Sequence, residues 1–349
     1  MHSAWRNVVL ALAIAAPAMA PAQAPDPSAQ IVMSERADRE QFLAQGAKKE
    51  GEVAVYTSLI SEDLAALSAA FEKKYGVKVK GWRAGSEKVL QRALTEARAH
   101  REGADVIETN GPELESMYRE KILQTFKSPH LKNLAREAIR PHGQWVGTRI
   151  NMFVQMYNTK LVRKEDLPKK FADLADARWK GKLGIEAQDE DWFATVVKGE
   201  GEEQGLRLFR QIGKSNGFSV RKGHTLIASL VASGEIAFAL TTYSHGAEKM
   251  KQKGAPVDWY AIEPAIGRAN GIAIPRAVAH PYSAMLFTDF VLSPEGQKIL
   301  EKGGYVPANL KVASPAQKIR LKFVDPATVL DEEAKWQKLY AEIVIGNAR

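Results

Sequence analysis

From residue 51 onward, apolar and polar positions follow two alternating periods. Short aliphatic or β-branched runs at residues 52–56, 77–82, 104–108, 181–187, 217–220 and 235–241 predict strands. Between them the apolar positions recur at helical spacing. The segment from Ser61 places Leu64, Leu67, Ala70 and Phe71 on one face, and Gly76 after it suits a left-handed cap. Further helices are expected at residues 31–49, 86–99, 191–198, 205–212, 225–232 and 243–253, and another is expected after Pro112. Strand and helix in strict alternation predict an α/β fold whose sheets are mainly parallel and flanked by helices.

Two segments break the alternation. Residues 144–157 form one long extended apolar run, long enough to pass from one lobe to another. Residues 257–261 and 271–275 read as paired return strands, and helices at 281–290 and 294–302 then pack back on the first lobe. The expected organisation is therefore two-lobed. The first lobe is discontinuous, residues 39–146 plus 268–312, and the second is residues 147–267. Residues 313–349 form a helical tail across both.

The N-terminus has the signature of an export signal. Arg6 precedes an apolar stretch over residues 8–20, and small residues lead to Ala22 before Gln23. Cleavage is expected after Ala22, making residues 1–22 a signal peptide and residues 23–38 a flexible leader. The apolar stretch falls short of the ~20 residues of a membrane-spanning helix. A periplasmic location follows from this reading. The absence of cysteine among 349 residues excludes disulfides, thiolate metal sites and cysteine nucleophiles. The formal charge of +8 falls to +7 when the signal peptide goes, because Arg6 is its one charged residue. The basic residues are scattered, with no aromatic-interleaved run, so no nucleic-acid partner is expected.

Several stretches, as they stand here, resemble the bacterial type II periplasmic solute-binding proteins, in the branch of the ferric-iron binders. They are GEVAVYTSL, FEKKYGVKV, MYNTKLVRKEDLPKKFADLADARWKGKLGI, LVASGEIAFAL and FTDFVLSPEGQKIL, spread between Gly51 and Val312. The resemblance implies two lobes closing on a small ligand, a membrane ABC permease as partner, a monomer and no cofactor. It leaves the ligand open, because relatives take ferric ion, phosphonates, thiamine, polyamines or organic acids.

In open α/β sheets ligands collect beyond the carboxyl ends of the strands, where helix N-termini face an anion. The positions just after each strand nominate Thr57, Ser58, Arg83, Ser86 and Asn110 from the first lobe. They nominate Asp191, Trp192, Arg221, His224 and Tyr243 from the second. Ser58 and Ser86 serve equally as helix caps, and Trp192 as core or as a stacking wall. Arg83 and Arg221 suit two-pronged bonds to a carboxylate or phosphonate. The resemblance implies two adjacent tyrosine ligands for iron, yet the sequence has Tyr243-Ser244, and Thr57-Ser58-Leu59-Ile60 stands where some relatives carry a histidine. An anionic solute, whether an organic carboxylate, a phosphonate or a ferric complex, is therefore the expected ligand. A ferric ion on Tyr243 is the alternative. No nucleophile elbow, zinc-protease motif or Walker loop is present, so no enzymatic activity is expected. A binding module serving a sensor or signalling receptor would have the same sequence signature.

Overall fold

A computed structural model describes residues 27–101, 103–314 and 318–349. The expected signal peptide lies outside these. The chain enters through α1 (Pro27–Val32) and α2 (Arg39–Glu50). The segment expected as a flexible leader is thus helical from Pro27, with Val32 fully buried in the first core. The single helix expected over residues 31–49 is broken after Val32. Arg39 restarts the helix while its guanidinium lies buried against Asp289 at 2.7 Å.

The alternation then runs β1 (Glu52–Thr57), α3 (Ser61–Tyr75), β2 (Lys78–Arg83), α4 (Ser86–Arg98), β3 (Val106–Asn110) and α5 (Gly111–Arg119). Gly76 ends α3 in the left-handed conformation at φ 72°, as its position predicts. A short β4 (Leu123–Gln124) precedes the 14-residue β5 (Trp145–Asn158), which is buried throughout. The second set comprises β6 (Leu183–Glu186), α6 (Glu190–Gly199), α7 (Glu202–Asn216), β7 (Ser219–Arg221), α8 (His224–Ser233), β8 (Phe238–Tyr243), α9 (Ser244–Gln252) and β9 (Val257–Tyr260). The chain returns through β10 (Ala265–Pro275), α10 (Pro281–Leu292), α11 (Pro294–Lys302) and β11 (Val306–Pro307). It finishes with β12 (Leu321–Phe323), α12 (Pro326–Asp331) and α13 (Glu333–Ile343).

Strand pairing gives the order β2-β1-β3-β10-β5-β8-β6-β7. The β1–β2, β1–β3, β6–β7 and β6–β8 pairs are parallel, as the alternation requires. The long strand β5 changes partner between Met152 and Phe153. Its first part lies antiparallel to β10, and its second part to β8 and β9. The expected pairing of the two return strands does not form: β9 and β10 each pair with β5, at different stretches of its length. The register shifts between Asn270 and Gly271 because β5 carries an extra residue there, Thr148, and a Cβ on Gly271 would stand 2.6 Å from Trp145 and 2.7 Å from the Val146 carbonyl.

Aromatic side chains centre the cores on each side. Phe71 packs edge-on against Phe287 at 5.1 Å in the first, and Phe193 meets Phe209 at 5.1 Å in the second. The tail, expected to be helical, also supplies β12, which pairs with β10. Arg119 of α5 binds Asp331 of α12 at 2.8 Å, while Trp336 and Tyr340 of α13 sink beside Phe193. The tail thus touches elements from both halves of the strand order.

Candidate functional site

With β1 and β6 one strand further out, the carboxyl ends of β3 and β8 lie against the long strands β10 and β5. Charged side chains interrupt those strands at Arg149 and Arg268, which are 2% and 7% exposed. Each guanidinium must find partners, because an unpaired buried charge is costly. Arg149 Nη1 donates to Glu108 in the middle of β3, and Thr57 donates its hydroxyl to the same carboxylate. Arg268 Nη1 donates to the Tyr243 hydroxyl oxygen at 2.8 Å. Its Nη2 donates to Asp189 Oδ1 at 3.2 Å and to Asp191 Oδ1. The face of Phe153 lies 4.8 Å beneath it.

A donor cluster adjoins Arg268. Oxygens of Glu186 and Asp189 and a ring nitrogen of His224 lie within 4.8 Å of one another. Glu186 is pinned by the backbone N–H groups of Gly223, at 2.7 Å, and Gln188. His224 Nε2 lies 3.3 Å from Asp189 Oδ1, and its ring packs on that of Tyr243 with centroids 3.9 Å apart. Burial works to raise the pKa of Asp189, but His224 and Arg268 outweigh it and hold the carboxyl below its ordinary range. Burial, with Asp189 beside it, moves Glu186 upward. The Tyr243 phenol is pushed strongly up by burial, against the pull of Arg268.

Polar atoms without a protein partner collect at this seam. Thr109 Oγ1, Asn151 Oδ1, His224 Nδ1, His245 Nδ1, Arg268 Nε and Asn270 Oδ1 are buried and lack one. They lie at strand ends, at helix starts or on the crossing strands.

The sequence-nominated residues divide into three groups. Asp191, His224 and Tyr243 come together around Arg268. Ser58 and Asn110 meet at Asn270, which donates to Ser58 Oγ at 3.5 Å and stands opposite Asn110 in the ladder; Thr57 is buried just behind them. The remaining residues lie elsewhere. Arg83 is exposed and donates to the Leu59 carbonyl at 3.2 Å. Arg221 faces Glu235 at 3.6 Å on the outer strand β7. Trp192 is core rather than a wall, 1% exposed and packed on Phe171 and Phe209. Nor do the serines cap: Ile60 and Gly85 hold the N-cap positions of α3 and α4, and Ser86 is the first residue of its helix.

Glu108, Arg149, Glu186, Arg268 and Asn270 were not nominated from the sequence. A signal existed for most of them, since a charge inside or at the end of an otherwise apolar strand has to be paired.

The chain resembles known proteins over most of its length. It is 26% identical to iron uptake protein A1 of Synechocystis, over 84% of this chain and 90% of the relative. It is 23% identical to the Fe(3+)-binding periplasmic protein of Serratia marcescens, over 74% and 79%. Among solved structures, iron-bound HitA from Pseudomonas aeruginosa aligns with a TM-score of 0.74 at 24% identity, over 84% of this chain and 99% of that one. AfuA from Actinobacillus pleuropneumoniae, bound to fructose-6-phosphate, aligns with the same TM-score and coverage at 21% identity. The fold is therefore the two-lobed type II binding-protein fold. With residues 66–322 matching the family pattern, this chain belongs to the bacterial extracellular solute-binding proteins.

Proposed function

We propose that this chain is the cargo-binding component of an ABC-type importer, exported to the periplasm, and that its cargo is ferric ion or a compact ferric complex. The observation that carries the reading is the donor set: two carboxylates and an imidazole within 4.8 Å of one another, with the Tyr243 phenol packed on that imidazole. Hard oxygen and imidazole donors suit a small, highly charged cation. The anionic solute expected from Arg83 and Arg221 has less support, because both side chains are engaged away from the seam. The arginines that do reach it, Arg149 and Arg268, already face Glu108, Asp189 and Asp191. Relatives whose names specify ferric iron support the same choice.

Closure of the lobes would bury the cargo and create the shape that a membrane permease recognises. One observation favours a second reading, an organic phosphate. Ser58, Asn110 and Asn270 offer neutral polar groups at the first-lobe rim, and the structurally similar AfuA holds a sugar phosphate.

Titration with ferric citrate, followed by visible absorbance and thermal melting, tests the proposal. Iron on Tyr243 gives a phenolate-to-iron band. A cargo at ~100 times its Kd adds about 2.7 kcal/mol of stability. A melting shift with fructose-6-phosphate and none with ferric citrate would transfer the assignment to the second reading.

A further inference from the structure

Two lysines of the second lobe reach carboxylates in the first turns of first-lobe helices. Lys249 of α9 places Nζ 2.7 Å from Asp63 Oδ1 and 3.5 Å from Glu62 Oε2, at the start of α3. Lys222, just before α8, lies 3.5 Å from Glu87 Oε2 in the first turn of α4, and Gln188 Nε2 donates to the same oxygen at 3.3 Å.

The two contacts differ in their surroundings. The Lys222 and Glu87 side chains are 69% and 53% exposed, so water and salt screen them and their pairing contributes little. Those of Lys249 and Asp63 are only 19% and 8% exposed. The turn after α11 closes over this second pair. A Cβ on Gly303 would stand 3.0 Å from Asp63 Oδ1, and one on Gly304 would stand 3.1 Å from His245 Cα. Next in the chain, Tyr305 packs its ring on His245 with centroids 4.1 Å apart. The contact is therefore enclosed, and breaking one side leaves the other charge buried unless the lobes part.

We propose that Lys249 and Asp63 form a latch between the lobes that favours the closed arrangement independently of cargo. The inference rests on the reading that the lobes open and close about the crossing strands β5 and β10. Cargo binds the closed arrangement, so apparent affinity scales with the fraction of molecules already closed. Removing the latch lowers that fraction and weakens cargo binding even though neither residue touches the donor cluster. The Lys222–Glu87 contact steers the approach of the lobes and leaves the equilibrium nearly unchanged.

The test uses the absence of cysteine in the chain. Lys73→Cys on α3 and Gln252→Cys on α9, both exposed, accept spin labels, and pulsed dipolar spectroscopy reads the distance between them without cargo. Lys249→Met and Asp63→Asn should each add a longer-distance population and weaken ferric citrate binding about tenfold, within the range typical of coupling between conformation and binding. The double variant Asp63→Asn/Lys249→Met, which leaves no buried charge behind, should lengthen the distance too. Exchanging the charges in Asp63→Lys/Lys249→Asp should restore it, while Lys222→Met should leave it unmoved. The latch fails if the double variant keeps the parental distance distribution. It fails equally if Lys222→Met opens the lobes as far as Lys249→Met does. A protein that shows the distance changes but ignores ferric citrate retains the latch and loses only the cargo assignment.

Discussion

Arg268 and Tyr243 meet head to head at the seam: the guanidinium Nη1 donates to the phenol oxygen at 2.8 Å while Nη2 holds Asp189. The same arginine thus neutralises the local carboxylates and orients the Tyr243 phenol beside them. Its backbone belongs to β10, which pairs with β3 and with β5. The phenol ends β8, which pairs with the second part of β5. A contact between side chains so placed links the state of the site to the position of the crossing strands.

Replacing Tyr243 with phenylalanine removes one oxygen and leaves the ring packed between Phe153 and His224. Stability should fall by about 1–3 kcal/mol, because the buried Arg268 Nη1 loses its acceptor. Ferric affinity should fall by more than the roughly 10–100-fold that a lost supporting hydrogen bond costs a metal site, and the visible band should vanish. An unaltered band in Tyr243→Phe, read by absorbance during the same ferric titration, rules out the phenolate.

Arg268→Met should destabilise the protein by about 3–5 kcal/mol, because Asp189 and Asp191 would remain buried without their cation. Urea unfolding measures this. Arg268→Lys, able to supply charge but not the planar fork, should fall between the two. A wild-type midpoint in Arg268→Met would mean that these carboxylates are neutral or compensated by another group.

Glu113, in the first turn of α5, is pushed up to about 7 from its ordinary 4.5, by burial first and against the pull of Arg268. Its folded-state pKa is raised, so its contribution to stability is complete below about 4.5 and is lost as pH rises through about 7. Glu113→Gln should remove that part of the pH dependence and leave the protein relatively more stable at pH 8. Melting temperatures of the two proteins across pH 4.5–8 check this, and parallel curves would exclude Glu113 as the source.

The tail is integral to the second core. Trp336 is 3% exposed beside Phe193, and its indole N–H donates to Glu332 at 2.6 Å. Trp336→Ala should cost about 3–5 kcal/mol, measured by denaturant unfolding. A loss below about 1 kcal/mol, the scale of ordinary surface changes, would show that α13 docks without contributing to the core.

Much of this architecture was legible in the chain, and the reasons are local. The alternation of periods located the parallel strands, and Gly76 marked a left-handed helix end that glycine adopts without strain. The run around β5 stood out because all 14 of its residues are buried, and such a strand reads as continuously apolar. Strand partners were harder to read. Residues 257–260 and 265–275 both seek β5, and apolar pattern alone does not say which stretch of a long strand each will take. The site was read in part. Asp191, His224 and Tyr243 follow from the rule that ligands gather after strands. Arg83 and Arg221 satisfy the same rule, yet their side chains turn toward Leu59 and Glu235. Position after a strand fixes where a Cα lies, but the direction of a long side chain depends on which partner it finds. Arg268 was missed for the converse reason, because it sits within a strand rather than after one.

The strand order also dictates a sequence of events during synthesis. β3 cannot gain its neighbour β10 until the ribosome has passed β6, α6, α7, β7, α8, β8, α9 and β9. The N-terminal sheet therefore emerges with an open edge, and the segment between must fold or be shielded before that edge is covered. Exposed strand edges in partly made chains favour misassembly. Release of the whole chain before folding begins would spare that interval, because both neighbours of β10 could then be recruited together.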